Sequence, residues 1–196
     1  MMPNSLPPLS TNANASKILD AAWSLFQTKG YRGVSMDEVC RRCKITKPTL
    51  YYYFQDKETL YIQTMLHQLR GYRTILEEDA PLVERLTRFA QTMLDNFRVD
   101  LSAMLRDMEH IGDKHYRRLI NAAHQTELVE PLTALLQAGI RRGELRPGDS
   151  ALYAWTFFGV VNTFIQSRHG LDQDNETVAR LLVDLFLRGA GVNSQG

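Results

Sequence analysis

Two lysines, three threonines, a proline and three consecutive tyrosines crowd the stretch TKPTLYYYFQDKETL, residues 46–60. Ammonium groups and phenol hydroxyls are donors for phosphate oxygens, and small or basic side chains at the start of a helix can meet base edges in the major groove. Lys47, Pro48, Thr49, Tyr51, Tyr52 and Lys57 are therefore candidates for DNA contact. A tyrosine-rich helix can equally be a packing element. At 100° per residue, however, Leu50, Tyr53 and Phe54 share one face, Pro48, Tyr51 and Tyr52 point away from it, and Lys47 and Thr49 flank it. Only one of the three phenols needs burial.

Short-range signals position these residues. Ile18, Leu19, Ala22, Leu25 and Phe26 recur at helical spacing in a first helix that starts near Ser16, and Gly30 stands where a left-handed C-terminal residue is usual. Ser35 and Glu38 form a capping box, with Val34 and Val39 at the two positions of a hydrophobic staple, so a second helix begins at Met36 and runs to about Cys43. Lys44, Ile45 and Thr46 break it. Thr46 is a natural N-cap for a third helix, Lys47 to Tyr53, with Pro48 in the first turn, where no amide hydrogen is needed. Asp56 caps a fourth, which opens on Lys57, a cation suited to anchoring a phosphate. Two short helices around a tight turn, supported by a longer one, are the layout of a helix-turn-helix DNA reader. Caps, turn, exposed tyrosines and Lys57 together favour DNA contact over packing.

Charge agrees with that division. The 196 residues carry a formal net charge of only +1, but eight basic and four acidic residues fall between Met1 and Lys57, a net of +4, against −3 for the rest. A hydrophobic share of 44% with 23% charged residues describes a globular chain with a real core. Two cysteines make no disulfide framework, and no secretory leader opens the sequence, which places the protein in a reducing cytoplasm. The most apolar segment, Ala151 to Ile165, is shorter than the roughly 20 residues a bilayer requires, so no membrane partner is expected.

The segment VSMDEVCRRCKITKPTLYYYFQDKETL, Val34 to Leu60, resembles the signature of the TetR family of bacterial transcriptional regulators: a capped helix, a turn, Thr-Leu-Tyr, a Tyr-Phe pair and a Lys-Glu-x-Leu start to the fourth helix. The resemblance is dense from Ser16 to Leu60 and architectural beyond. It implies that Ser35, Thr46 and Lys57 hold phosphates, that Lys47, Pro48 and Thr49 face bases, and that Tyr51 and Tyr52 flank the groove. The family often has glycine in the turn where this chain has Lys44. A left-handed backbone is costly for lysine, which predicts a less tightly wound turn; Lys44 can also add a phosphate contact.

Beyond Lys57 the periodicity stays helical. Helices are expected around Leu60 to Leu69, Leu86 to Phe97 and Leu101 to Met108, then from Asp113 to about Arg142 with a kink at Pro131, from Ser150 to about Arg168, and from Glu176 to about Leu187. The last two are apolar on more than one side, which implies a partner surface: Trp155, Phe158, Asn162 and Ile165 with Val178, Leu182, Leu185 and Phe186 are expected at a homodimer interface. Methionines among aromatics in the preceding helices fit either a core or a small-molecule pocket. The resemblance implies a pocket for an apolar or aromatic effector, lined by Met65, Leu69, Phe89, Met93, Phe97, Met104, Met108, Tyr116 and Ile120.

The Cys40-x-x-Cys43 pair lacks a preceding strand or a second ligand pair, so packing is favoured over redox or metal chemistry, and the histidines show no metal spacing. No phosphate loop, nucleophile elbow or zinc motif occurs, so no catalytic residue, metal or cofactor is expected. The reading is an all-α fold of about nine helices. Residues 1–15 form a flexible tail, 16–56 an N-terminal three-helix helix-turn-helix DNA-binding domain, and 57–196 a larger C-terminal helical effector-binding and dimerisation domain. The expected function is a homodimeric repressor released from a palindromic double-stranded DNA operator by a small-molecule effector. A helical interaction protein, or a small-molecule-modifying enzyme without sequence-specific DNA binding, is the alternative.

Overall fold

The computed structural model describes residues 13–96, 114–166 and 173–190. Most of the expected tail, the expected Leu101 to Met108 helix, and Phe97, Met104 and Met108 of the expected pocket lie outside them. The described secondary structure is helical: α1 Ala13–Gly33, α2 Met36–Cys43, α3 Lys47–Tyr53, α4 Lys57–Glu77, α5 Leu82–Asn96, α6 Lys114–His124, a π-helical turn Gln125–Val129, α7 Glu130–Arg141, α8 Ser150–Gln166 and α9 Asn175–Ala190. Among these residues no helix is long and apolar enough to cross a membrane.

Two compact units divide the chain. The first holds residues up to 68 together with 101–121, and the second holds 69–100 with 122–196. The division falls inside α4 rather than at its first residue, because Leu60, Tyr61 and Ile62 are buried in the same core as Ile18, Leu19 and Phe26 of α1 and Leu50 and Phe54. Phe26 meets Tyr61 edge to face at 4.8 Å, a favoured aromatic geometry. α1 starts three residues before Ser16, and Gly30 interrupts it at φ 68°, ψ 171°, after which the chain makes one more helical turn to Gly33.

In the second unit α9 packs on α5, and α8 on α7 and α5. Tyr72, Phe89, Phe157 and Phe186 form a chain of ring contacts, at 5.6, 6.2 and 5.0 Å, through its core. The long helix expected from Asp113 breaks just before Pro131, where the Glu130 amide reaches back five residues to the Gln125 carbonyl. A proline ring clashes with the carbonyl four residues earlier and supplies no N–H, so the preceding turn widens from α to π. Gly143, at φ 74°, closes α7 through its bond to the Ile140 carbonyl, and Asp149 and Asp174 cap α8 and α9 with their carboxylates.

Candidate nucleic-acid interface

The caps expected for the helix-turn-helix segment are formed. Ser35 Oγ accepts from the Glu38 amide at 3.2 Å, and the Glu38 carboxylate returns to the Ser35 backbone and also pairs with Lys29. The Lys29 hydrogen bond is the largest influence holding the Glu38 carboxyl below its ordinary range. Thr46 Oγ1 accepts from the Thr49 amide at 3.4 Å and lies 2.9 Å from Thr49 Oγ1, so the two hydroxyls at the start of α3 are tied together. Asp56 Oδ1 accepts from the Thr59 amide at 2.7 Å to start α4.

The turn overrides one expectation. Lys44 adopts φ 54°, ψ 43°, the left-handed conformation that glycine takes most readily, and its amide donates to the Arg41 carbonyl at 3.3 Å while that of Ile45 reaches Cys40 at 3.0 Å. The turn is as tightly wound with lysine as a glycine would allow, because closing the α2 carbonyls and burying Val39 and Leu50, both at 0% exposure, outweighs about 1 to 2 kcal/mol of left-handed strain. The Lys44 side chain is left exposed.

α3 is amphipathic across its width. Leu50 is fully buried and Tyr53 half-buried, whereas Tyr51 is 47% and Tyr52 84% exposed, and Lys47, Pro48 and Thr49 are exposed beside them. Lys47 Nζ pairs with Asp37 Oδ1 of α2 at 2.8 Å, and this hydrogen bond is the largest influence raising the lysine pKa. Lys57 Nζ sits 4.5 Å from the centroid of the Tyr31 ring and 3.5 Å from the Arg32 carbonyl oxygen. Burial, reinforced by Glu58 and Asp56, holds the Tyr31 phenol above its ordinary range. Ser35, Lys44, Thr46, Lys47, Pro48, Thr49, Tyr51 and Tyr52 are thus exposed, with Lys57 half-buried at the start of α4. Such a set, donors and cations around a short exposed helix, can hold phosphates and present side chains to a groove. Asp37, held to Lys47, was missed by sequence reasoning; its place beside a box-forming Ser35 and its charge opposite the basic α3 start are the signals that mark it.

Cys40 is buried and Cys43 half-buried, both free, and burial raises both thiol pKa values, which suits packing rather than thiolate chemistry. No cluster of three potential metal ligands occurs among the described residues.

The other expected sites are redistributed. Met65, Tyr116 and Ile120 pack in or against the core of the first unit, while Phe89 and Met93 are buried in the second, with Leu69 half-buried there. A cleft of about 500 Å³ in the second unit is lined by the π-helical turn, α7 and α8, including Thr133, Gln137, Arg141, Ser150 and Trp155. Of the expected interface residues, Ile165, Val178 and Leu182 are buried in the chain's own core, which removes them from any partner surface; Phe158, Asn162 and Phe186 are half-buried, and Trp155 and Leu185 are exposed at 52% and 56%. Leu181 is exposed as well, and so are Leu152 and Val160, which sequence reasoning passed over.

Residues 18–64 match the family described as bacterial regulatory proteins, tetR family. The biofilm operon icaADBC HTH-type negative transcriptional regulator IcaR of Staphylococcus aureus (strain Newman) is 41% identical over 49 residues, 25% of this chain and 26% of that protein. PfmR, a TetR family transcriptional regulator from Thermus thermophilus, superimposes with a TM-score of 0.64 at 28% identity, over 88% of this chain and 97% of that one. The structure of AibR in complex with isovaleryl coenzyme A and operator DNA gives a TM-score of 0.59 at 25% identity, over 86% and 95% of the two chains.

Proposed function

We propose, since the chain belongs to the TetR family of bacterial regulatory proteins, that it is a cytoplasmic repressor that binds a palindromic operator as a homodimer and leaves it when a small apolar or aromatic effector binds. The observation that carries the reading is α3: a seven-residue helix with Leu50 and the following Phe54 fully buried, and Lys47, Pro48, Thr49, Tyr51 and Tyr52 outside. In this reading Lys47, Pro48 and Thr49 face bases, Tyr51 and Tyr52 flank the groove, and Ser35, Lys44, Thr46 and Lys57 hold phosphates.

A two-fold operator calls for a two-fold protein. The exposed apolar residues of α8 and α9, namely Leu152, Trp155, Val160, Leu181 and Leu185, are the surface we assign to the dimer. Repression is supported by the likeness to IcaR, a negative regulator, and the binding of a small-molecule effector by the likeness to AibR, whose structure holds isovaleryl coenzyme A and operator DNA. The operator-binding role is assigned to the first unit, which holds α1 to α3 and the first turns of α4, and the dimer surface to α8 and α9 of the second. No residue is assigned a catalytic role, and an effector is expected to be returned unchanged.

Duplexes enriched by the purified protein from a random library test the reading directly. A palindromic consensus, bound with a steep salt dependence, is the expected result. Binding without any sequence preference, or a stable monomer in sedimentation at micromolar concentration, would overturn it.

A further inference from the structure

We propose that Asp37 is a specificity-determining residue, a positioning carboxylate that holds the Lys47 ammonium at the start of α3 and disfavours DNA offering only phosphates. The inference rests on the assignment of α3 to the groove.

The geometry is an ion pair between the second residue of α2 and the first of α3, Asp37 Oδ1 to Lys47 Nζ at 2.8 Å, with the two side chains 59% and 61% exposed. An exposed pair of this kind adds little to stability. Nor does α2 depend on it, since Ser35 caps the helix and Glu38 supplies a second acidic group in its first turn. For general attraction to DNA the carboxylate is a handicap, because wherever Lys47 meets the duplex Asp37 comes with it and repels the backbone.

What the pair supplies is direction. An ammonium has three N–H donors, and one is already committed to Asp37. The two that remain point away from the carboxylate and match in number the O6 and N7 acceptors that guanine presents together in the major groove. A phosphate can take the same donors only by drawing its own charge toward Asp37. The pair therefore favours a base edge with two neutral acceptors over an anionic oxygen, and a lysine that would otherwise attach to any backbone becomes a reader. Lys47 stays protonated in this setting, since the Asp37 contact raises its pKa.

The full-length protein is titrated with its library-selected duplex and with a scrambled duplex over a range of salt. Asp37→Asn is expected to bind the scrambled duplex more tightly and to lose about tenfold in the ratio of selected to scrambled affinity, within the span a single base-edge contact provides. Asp37→Glu, which keeps the carboxylate, should restore most of the ratio, as a merely structural role for the side chain would not require. Should the Asn variant melt early, Asp37→Ser removes the charge and keeps a small polar group near the helix start. An unchanged ratio in the neutral variants overturns the proposal. Lys47→Ala separates the two levels: if it shifts base preference while Asp37→Asn does not, only the role of Asp37 fails; if it shifts nothing, or if no sequence is selected at all, the assignment of α3 fails with it.

Discussion

Lys57 Nζ lies over the Tyr31 ring, 4.5 Å from its centroid, and within 3.5 Å of the Arg32 carbonyl oxygen. The two contacts fix a flexible side chain at the first residue of α4, where the helix N-terminus adds its own positive field. In the proposed reading a cation so placed anchors phosphate without reading sequence. Lys57→Ala should weaken selected and scrambled duplexes by the same factor and reduce the salt slope by about one. Tyr31→Leu should give a smaller loss of the same kind. A changed base preference in either variant, scored by repeating the library selection, would assign Lys57 to reading instead of positioning.

Lys44 offers opposite signs in two assays. With lysine held at φ 54°, Lys44→Gly relieves left-handed strain and should raise the unfolding free energy by about 1 kcal/mol, measured as a higher urea midpoint at constant m. The same change removes an exposed ammonium beside the proposed groove, so affinity for all duplexes should fall. A variant that is both less stable and equally tight on DNA would contradict the account of the turn and of the side chain together.

The capped helices between Ser35 and Leu60 were legible because their signals are local. A Ser35 hydroxyl reaching the amide three residues on, a threonine before Lys-Pro, and an Asp56 cap are decided within one helical turn, and they form as their spacing dictates. Lys44 was misjudged for the complementary reason: intrinsic preference sets a strain, but the burial of Val39 and Leu50 on either side decides whether the chain accepts it. In the second half the sequence shows which positions are apolar without showing which body covers them. Val178 and Leu182 form one i, i+4 stripe on α9, and Leu181 and Leu185 form another; both look alike in sequence, yet the first is buried in the chain and the second exposed. Nor does periodicity reveal that Pro131 widens the turn before it from α to π, since the deciding clash is with a carbonyl four residues earlier.

The capping box should respond to acid. Glu38 has its carboxyl pKa lowered in the fold, first by Lys29, so the stability it contributes is present above the ordinary glutamate range and is lost as pH falls through the lower folded value. Stability of the wild type measured by urea unfolding should therefore drop between about pH 5 and pH 3 more steeply than that of Glu38→Gln. Parallel pH profiles would show that the box and the Lys29 pair are not formed in solution.

The two stripes of α9 separate core from interface in one experiment. Leu182, at 1% exposure, packs inside its own chain, so Leu182→Ala should cost about 2 to 5 kcal/mol through lost burial and the cavity left behind. Leu185 is 56% exposed, and on a lone chain Leu185→Ala should change stability by no more than about 0.5 kcal/mol. If the exposed residues of α8 and α9 meet a second copy, placing charge there, as Leu185→Glu or Trp155→Glu, buries an unpaired carboxylate in the interface and should yield folded monomers in sedimentation. Those monomers keep an intact α3 but lose the second half-site, so their affinity for a palindromic duplex should fall far more than their affinity for a single half-site. A Leu185→Glu protein that remains dimeric would move the interface away from this face of α9, and a monomer that still binds the palindrome as tightly as wild type would remove dimerisation from the account of operator recognition.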